Sequence, residues 1–475
     1  MFFRNRKSKF VGVSIALSLI LLIGLSIAGQ GVVSDKDDSY KQLKTFTEVL
    51  RLVENNYVEE VENKELYYGA IRGMLNSLDS HSAFMPPEIY KEMQVETKGS
   101  FGGLGIEITI RKNRLTVVAP IEGTPADSAG IKPGDWIVQV NGEFTKDMTL
   151  MDAVNKMRGP KGTSVTIGIM RDGFDKPKDF VLVRDVIQIK NISFNMADEE
   201  SKIGYIRLRQ FQERSDEEVE NALTELKKQG MQGLILDMRN NPGGLLDMAI
   251  AVSGKFLPKG KLVVSTKGRV RSQNREYNSL EEPGANDYPM IVLVNAGSAS
   301  AAEIVAGAIQ DWNRGVLLGE KTFGKGSVQT VIQLNDGSGL RLTTARYYTP
   351  KGTSIHAKGI VPDITVADGE LVKDKENHPV IREKDLRQIP GSPDQGDEGT
   401  GLENEQPEPE IEPEPPAEPI GKQEPDKPGE KAEEGKEGQE KKKADIQLER
   451  AIQILKANKI FAKGLSKETS VADKK

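Results

Sequence analysis

The sequence predicts an α/β protein of several domains, and three observations lead there. Over residues 186–370, short apolar runs such as Gly233–Met238 and Met290–Val294 alternate with helical patterns such as Asp216–Gln229 and Ala301–Ile309. Over residues 98–185, the pattern is instead one of short strands broken by glycine turns. Finally, a length of 475 residues makes roughly two to four domains the expectation.

Composition narrows the chemistry. Lysine and arginine total 65 against 71 aspartate and glutamate, a net charge of −6, so no basic excess points to nucleic acid. The absence of cysteine excludes disulfides, thiolate catalysis and cysteine-ligated zinc. The three histidines, His81, His356 and His378, are far apart in sequence. A histidine-rich metal site is therefore not expected, and neither a metal nor a cofactor is assigned. Scarce histidine also makes lysine the more natural catalytic base.

In chain order, residues 1–35 form a targeting segment. Arg4, Arg6, Lys7 and Lys9 precede an apolar stretch from Phe10 to Ala28. That stretch is about long enough to span a bilayer, which favours a signal anchor, although Ser26-Ile27-Ala28 is a small-residue cleavage site. Either way the basic flank stays inside, and the remainder lies outside the cytoplasm. The protein is expected to be anchored to a bacterial cell membrane, or secreted if the segment is cleaved. Residues 36–97 form a helical region, with Leu43, Phe46, Val49, Leu50 and Val53 at helical spacing. Packing or homodimer formation is the expected role. His81, in the turn from Leu78 to Ser82, is expected to make a structural hydrogen bond.

Residues 98–185 begin with Phe101-Gly102-Gly103-Leu104-Gly105-Ile106. Thr124-Pro125-Ala126-Asp127-Ser128-Ala129-Gly130 follows, then a strand from Gly134 that ends in the turn Asn141-Gly142. This order resembles a PDZ domain. The resemblance implies that backbone N–H groups of Gly103, Leu104, Gly105 and Ile106 hold a C-terminal carboxylate while the adjacent sheet edge accepts the peptide as an added strand. Residues 186–384 are the α/β core. Residues 385–443 collapse into Pro, Glu, Lys and Gly, a disordered acidic linker. Residues 444–475 regain helical spacing at Leu448, Ala451, Ile452 and Leu455. A helix this short is marginal alone in water, so it is expected to dock on the folded body.

Chemistry concentrates in residues 290–329. An apolar strand, Met290–Val294, runs into small residues and then a helix from Ala301. Ser300 sits where the free N–H groups of a helix start can stabilise an oxyanion. By composition alone Ser298 is a rival nucleophile, and an N-cap is the structural alternative for Ser300. Lys325, in Thr322-Phe323-Gly324-Lys325-Gly326, is the candidate base. Burial must lower its pKa before it can accept a proton near neutral pH. Gln329 lies four residues further on, about 13 Å away in an ideal strand. A hydrogen bond between the two needs a bend, which Gly324 and Gly326 permit.

Together with the PDZ-like region, three motifs resemble the carboxyl-terminal processing peptidases, also called tail-specific proteases. They are Asn240-Asn241-Pro242-Gly243-Gly244, Gly297-Ser298-Ala299-Ser300-Ala301-Ala302-Glu303 and Gly319-Glu320-Lys321-Thr322-Phe323-Gly324-Lys325-Gly326-Ser327-Val328-Gln329. The resemblance spans about residues 40–370. It implies an α/β peptidase core of the crotonase or ClpP-like kind, with an inserted PDZ domain and an N-terminal helical region. It also implies a serine endopeptidase with Ser300 as nucleophile, Lys325 as base and Gln329 orienting the lysine. Ala301 and the Gly243–Gly244 turn would supply the oxyanion hole, and the substrates would be proteins with apolar C-termini. Two positions depart from the family pattern: Ala302 replaces a serine and Met238 a leucine, both read as packing changes. Asp311 matches a position important in some tail-specific proteases and is read here as a helix-end residue. A non-catalytic PDZ scaffold and an acyl-CoA enzyme of the crotonase type are the rival readings. The intact Ser300, Lys325 and Gln329 oppose the first, and the export segment opposes the second.

Overall fold

The computed structural model describes residues 34–282, 287–367, 381–386 and 445–472. Residues 1–33 of the expected targeting segment, His378 and nearly all of the expected acidic linker lie outside these residues. No helix among the described residues is long and apolar enough to cross a membrane.

Residues up to Leu78 form one unit, and the chain from Asp79 onward forms another. The first holds helices Ser34–Asn56 and Asn63–Asn76. Leu43, Phe46, Val49 and Leu52 line up along the first helix and are all exposed. Part of the predicted helical region behaves differently. Ala83–Met85 is a strand of the second unit, paired antiparallel with Gly339–Tyr348. Three residues are too few to show a period.

Within the second unit, residues 100–188 form a β domain. Its sheet runs in the order Ile106–Arg111, Arg114–Pro120, Trp136–Val140, Ser164–Met170, Lys178–Val183. Asn141 and Gly142 both take positive φ, 50° and 83°, in the two-residue turn to Glu143–Phe144. Helix Leu150–Met157 starts at a capping box of Thr149 and Asp152. Leu104, Val117, Ile137, Val140, Ile167 and Ile169 fill the centre. Ser100–Gly103 and Asp185–Gln188 pair where the chain enters and leaves this domain.

The core is built on a six-stranded sheet: β1 (Ile192–Asp198), β2 (Ile203–Leu208), β3 (Gly233–Asp237), β4 (Met290–Val294), β5 (Val316–Gly319) and β6 (Ile364–Thr365), in that spatial order. The β1–β2 pair is antiparallel and the others are parallel. Parallel strands are covered on both faces, which explains the unbroken apolar runs of β3 and β4. Alternation divides them between two clusters. Met290, Val292 and Val294 face α1 (Ser215–Lys228), α2 (Leu246–Gly254) and α3 (Ala301–Asp311), whereas Ile291 and Leu293 pack with Ala451 and Leu455 of α4 (Ile446–Ala472). Residues Ala301 to Ile309 of α3 are all buried. Their small side chains permit close approach: a β-carbon on Gly307 would stand 2.9 Å from Thr349 Cγ2. A second, antiparallel sheet joins Ser327–Gln333, Gly339–Tyr348, Leu262–Gly268, Arg275–Asn278 and Ala83–Met85. The loop carrying Lys325 leads directly into it.

Candidate active site

Ser300 occupies the turn between β4 and α3 with φ 54° and ψ −113°. A positive φ at a residue with a β-carbon is strained and persists only where the surroundings hold it. Ala299 N–H donates to Asn241 O at 2.9 Å, and Ser300 N–H donates to Glu303 Oε2 at 2.8 Å. Ser300 is the N-cap position of α3, but its hydroxyl makes no cap bond. Ser298 has a different environment. It is fully buried, and its hydroxyl donates to Met238 O at 2.8 Å and accepts from Asn295 N–H at 3.0 Å.

The lysine loop closes on the same carboxylate. Glu303 is 0% exposed. Its Oε1 accepts from Gly324 N–H at 2.8 Å and from the Thr322 hydroxyl, and its Oε2 accepts from Lys325 N–H at 2.9 Å. Ser300 N–H and Lys325 N–H therefore sit on one oxygen atom, and the two backbone positions are neighbours. Phe323 N–H adds a direct link to Ser298 O at 3.0 Å. Burial pushes the Glu303 pKa up to about 7, and its four donors oppose that shift. Lys325 is partly buried. Burial holds its pKa below the ordinary lysine value, Arg341 pushes the same way, and Glu383 and Glu303 pull it back.

Two expected contacts differ. Gly243 N–H donates to Asn241 Oδ1 at 2.9 Å, so it is not open to receive an oxyanion. Gly243 is close to Ser300 for another reason: a β-carbon there would meet Ser300 Cβ at 2.8 Å and Ala301 N at 3.0 Å. The N–H groups of Gly244 and Ala301 donate to no other group among the described residues. No hydrogen bond joins Gln329 to Lys325 among the described residues. Its amide nitrogen donates to Thr343 Oγ1 at 2.9 Å and to Ser327 Oγ at 3.2 Å, while its buried carbonyl oxygen has no partner among the described residues. Strand pairing accounts for this, because Gln329 lies opposite Thr343.

Comparison with known proteins identifies the family. A model of peptidase family S41 matches residues 202–366, a PDZ-domain model matches 116–171, and a model of the activating protease CtpB N-terminal domain matches 26–89. The carboxy-terminal-processing protease of Bartonella bacilliformis is 43% identical over 394 residues, 82% of this chain and 89% of the relative. The chain belongs to peptidase family S41, among the carboxy-terminal processing proteases. It is a serine-type peptidase with a PDZ domain. The carboxy-terminal processing protease CtpA of Bacillus subtilis is 37% identical over 353 residues, 74% of each chain. Among solved structures, the photosystem II D1 C-terminal processing protease is 32% identical. It matches 68% of this chain and 92% of its own, with a TM-score of 0.40.

In this S41 peptidase the PDZ strand Ile106–Arg111 pairs, among the described residues, only with Arg114–Pro120, which leaves its other edge open there. Before it, Gly103 ends a strand, Leu104 is buried and Gly105 has φ 76°. The N–H groups of Leu104 and Gly105 have no acceptor among the described residues. Asp311 accepts from Lys351 N–H at 2.8 Å at the end of α3. Ala302 and Met238 are both fully buried.

Sequence reasoning assigned no role to Glu303, Arg239 or Glu383. Glu303 left a signal, since Ser-x-x-Glu at a helix start is the capping-box pattern. Arg239 left a weaker one, as part of the motif before Gly243. Its guanidinium joins Asp237 on β3 to Asp445 beside α4, at 2.7 and 2.6 Å. Glu383 left none.

Proposed function

We propose that this protease cleaves by a Ser300–Lys325 dyad, acting on the C-terminal tails of proteins outside the cytoplasm. The observation that carries the reading is the shared Glu303 oxygen, which joins the backbones of nucleophile and base. Neutral Lys325 takes the proton of the Ser300 hydroxyl as Ser300 Oγ attacks the scissile carbonyl. The N–H groups of Ala301 and Gly244 receive the oxyanion. The Lys325 ammonium then protonates the leaving amine, and a water deprotonated by Lys325 hydrolyses the acyl-enzyme. The unpartnered Gln329 carbonyl oxygen is the acceptor that steadies the ammonium. Substrates with apolar C-termini are captured at Gly103, Leu104, Gly105 and Ile106, where the tail adds as a strand to the open edge. Residues 1–35 tether the enzyme to the membrane, and the exposed stripe of helix Ser34–Asn56 joins two copies.

The test compares wild type, Ser300→Ala and Lys325→Ala on a protein bearing an apolar C-terminal tail, with products weighed by mass spectrometry. Both variants are expected to leave the tail intact. Full cleavage by either one ends the dyad reading.

A further inference from the structure

A buried carboxylate paired with a partly buried imidazole adjoins the proposed base and takes no part in the steps above. Residues 381–386 form a short strap bonded to the loop that carries Lys325. Arg382 Nη1 donates to Lys321 O at 2.8 Å and to Thr322 O at 3.0 Å, and Glu383 N–H donates to Phe323 O at 3.2 Å. Glu383 is only 3% exposed. Its two oxygens lie 2.7 and 2.8 Å from His81 Nε2, and His356 Nδ1 is 3.6 Å from Oε1.

His81 is itself fixed. Its N–H donates to Asp79 Oδ1 at 2.8 Å, and its carbonyl accepts from Arg341 Nε at 3.0 Å. The next residue, Ser82, accepts from Thr343 N–H at 3.1 Å, and Thr343 is the partner of Gln329. One turn and one strap thus connect the lysine loop to Gln329.

We propose that Glu383, clamped by His81, is a positioning residue for proton transfer at Lys325. This rests on the reading of Lys325 as the base. A base that must first be neutral and then deliver a proton needs opposing influences of similar size. Arg341, from strand Gly339–Tyr348, disfavours the ammonium, as burial does, whereas Glu303 from α3 and Glu383 from the strap favour it. The groups facing Glu383 are His81 and His356. Bonding to the imidazole fixes the Glu383 carboxylate and draws on its charge, which limits its pull on Lys325. Removing the charge of Glu383 favours neutral lysine. Removing the imidazole strengthens the carboxylate and favours the ammonium.

The test measures phosphonylation of Ser300 by a fluorophosphonate across pH, a reaction in which the serine oxygen bonds to phosphorus and fluoride leaves. Full-length wild type, Glu383→Gln, His81→Ala and Lys325→Ala are compared. Lys325→Ala is expected to react far more slowly than wild type. The acid limb of the rate should move to lower pH in Glu383→Gln and to higher pH in His81→Ala. Opposite shifts mark a charge effect, whereas a merely structural role lowers rate and melting temperature and leaves the limb in place. If Lys325→Ala is slow but both limbs stay at the wild-type pH, this proposal alone falls. If Lys325→Ala reacts as fast as wild type, the dyad falls and this proposal with it. Should Glu383→Gln fail to fold, the direction of the His81→Ala shift decides.

Discussion

Glu303 is the residue on which both halves of the proposed dyad converge. A glutamine there sets an NH₂ group against the donors Ser300 N–H, Gly324 N–H and Lys325 N–H, or leaves them unpaired. Glu303→Gln is expected to cost about 1–3 kcal/mol of stability by urea denaturation and to slow phosphonylation of Ser300. Lys325 works in the other direction. Its pKa is depressed in the folded state, so its contribution to stability is present above the unfolded lysine value and is lost as pH falls through the folded one. At neutral pH, below the unfolded lysine value, burying Lys325 therefore costs the folded state stability. Lys325→Met should abolish cleavage and raise the melting temperature at neutral pH, with the gain shrinking as pH rises past the ordinary lysine range. A melting temperature that falls at neutral pH would contradict the burial account. Ser300 and Lys325 could be picked from motifs because their residue types and glycine settings are unusual. The orientation of Gln329 and the bonded state of Gly243 N–H could not, because both are set by partners elsewhere in the chain, Thr343 by strand pairing and Asn241 by a side-chain turn.

At the scale of elements, the strained Ser300 turn depends on the loop from Arg239 to Gly244. Gly243 has φ 102° and sits against Ser300. Gly243→Ala is expected to cost about 1–3 kcal/mol for the left-handed backbone and to lower kcat by about 100-fold through displacement of the nucleophile. Steady-state kinetics and thermal melts measure the two effects separately. Helix α4 matters for a different reason. Leu455 is 4% exposed against the face of the sheet that α1, α2 and α3 leave uncovered. Leu455→Ala should destabilise the core by about 2–5 kcal/mol, read as a shift of the denaturation midpoint at constant slope. The apolar spacing of α4 was visible in the sequence, but its docking face on β2 to β5 was not. Amphipathic spacing identifies a face to be buried and not the surface that buries it.

At the scale of the molecule, a PDZ domain is inserted into an α/β peptidase between the Asp79–Ser82 turn and the core sheet. Gly105 has φ 76°, and a β-carbon there would meet Thr124 Cβ at 2.4 Å. Gly105→Ala should therefore distort the proposed carboxylate loop and raise KM for a tail-bearing protein more than it lowers kcat. An unchanged KM would remove tail capture from this loop. The same scale explains the reach of Glu383, whose contacts with His81 and His356 bridge distant parts of the chain.

By itself the sequence determined the α/β class, the PDZ-like strand order, the serine and lysine motifs and the peptidase family they resemble. These are carried by local signals: apolar periodicity, turn glycines and short runs of rare composition. Only the tertiary structure decided which groups meet. It placed Ser300 and Lys325 around Glu303, turned Gln329 toward Thr343, occupied Gly243 N–H and brought Glu383 to His81. The physical reason is that a hydrogen bond between distant residues leaves no period in the chain. It arises only once β4, α3 and the antiparallel sheet have packed.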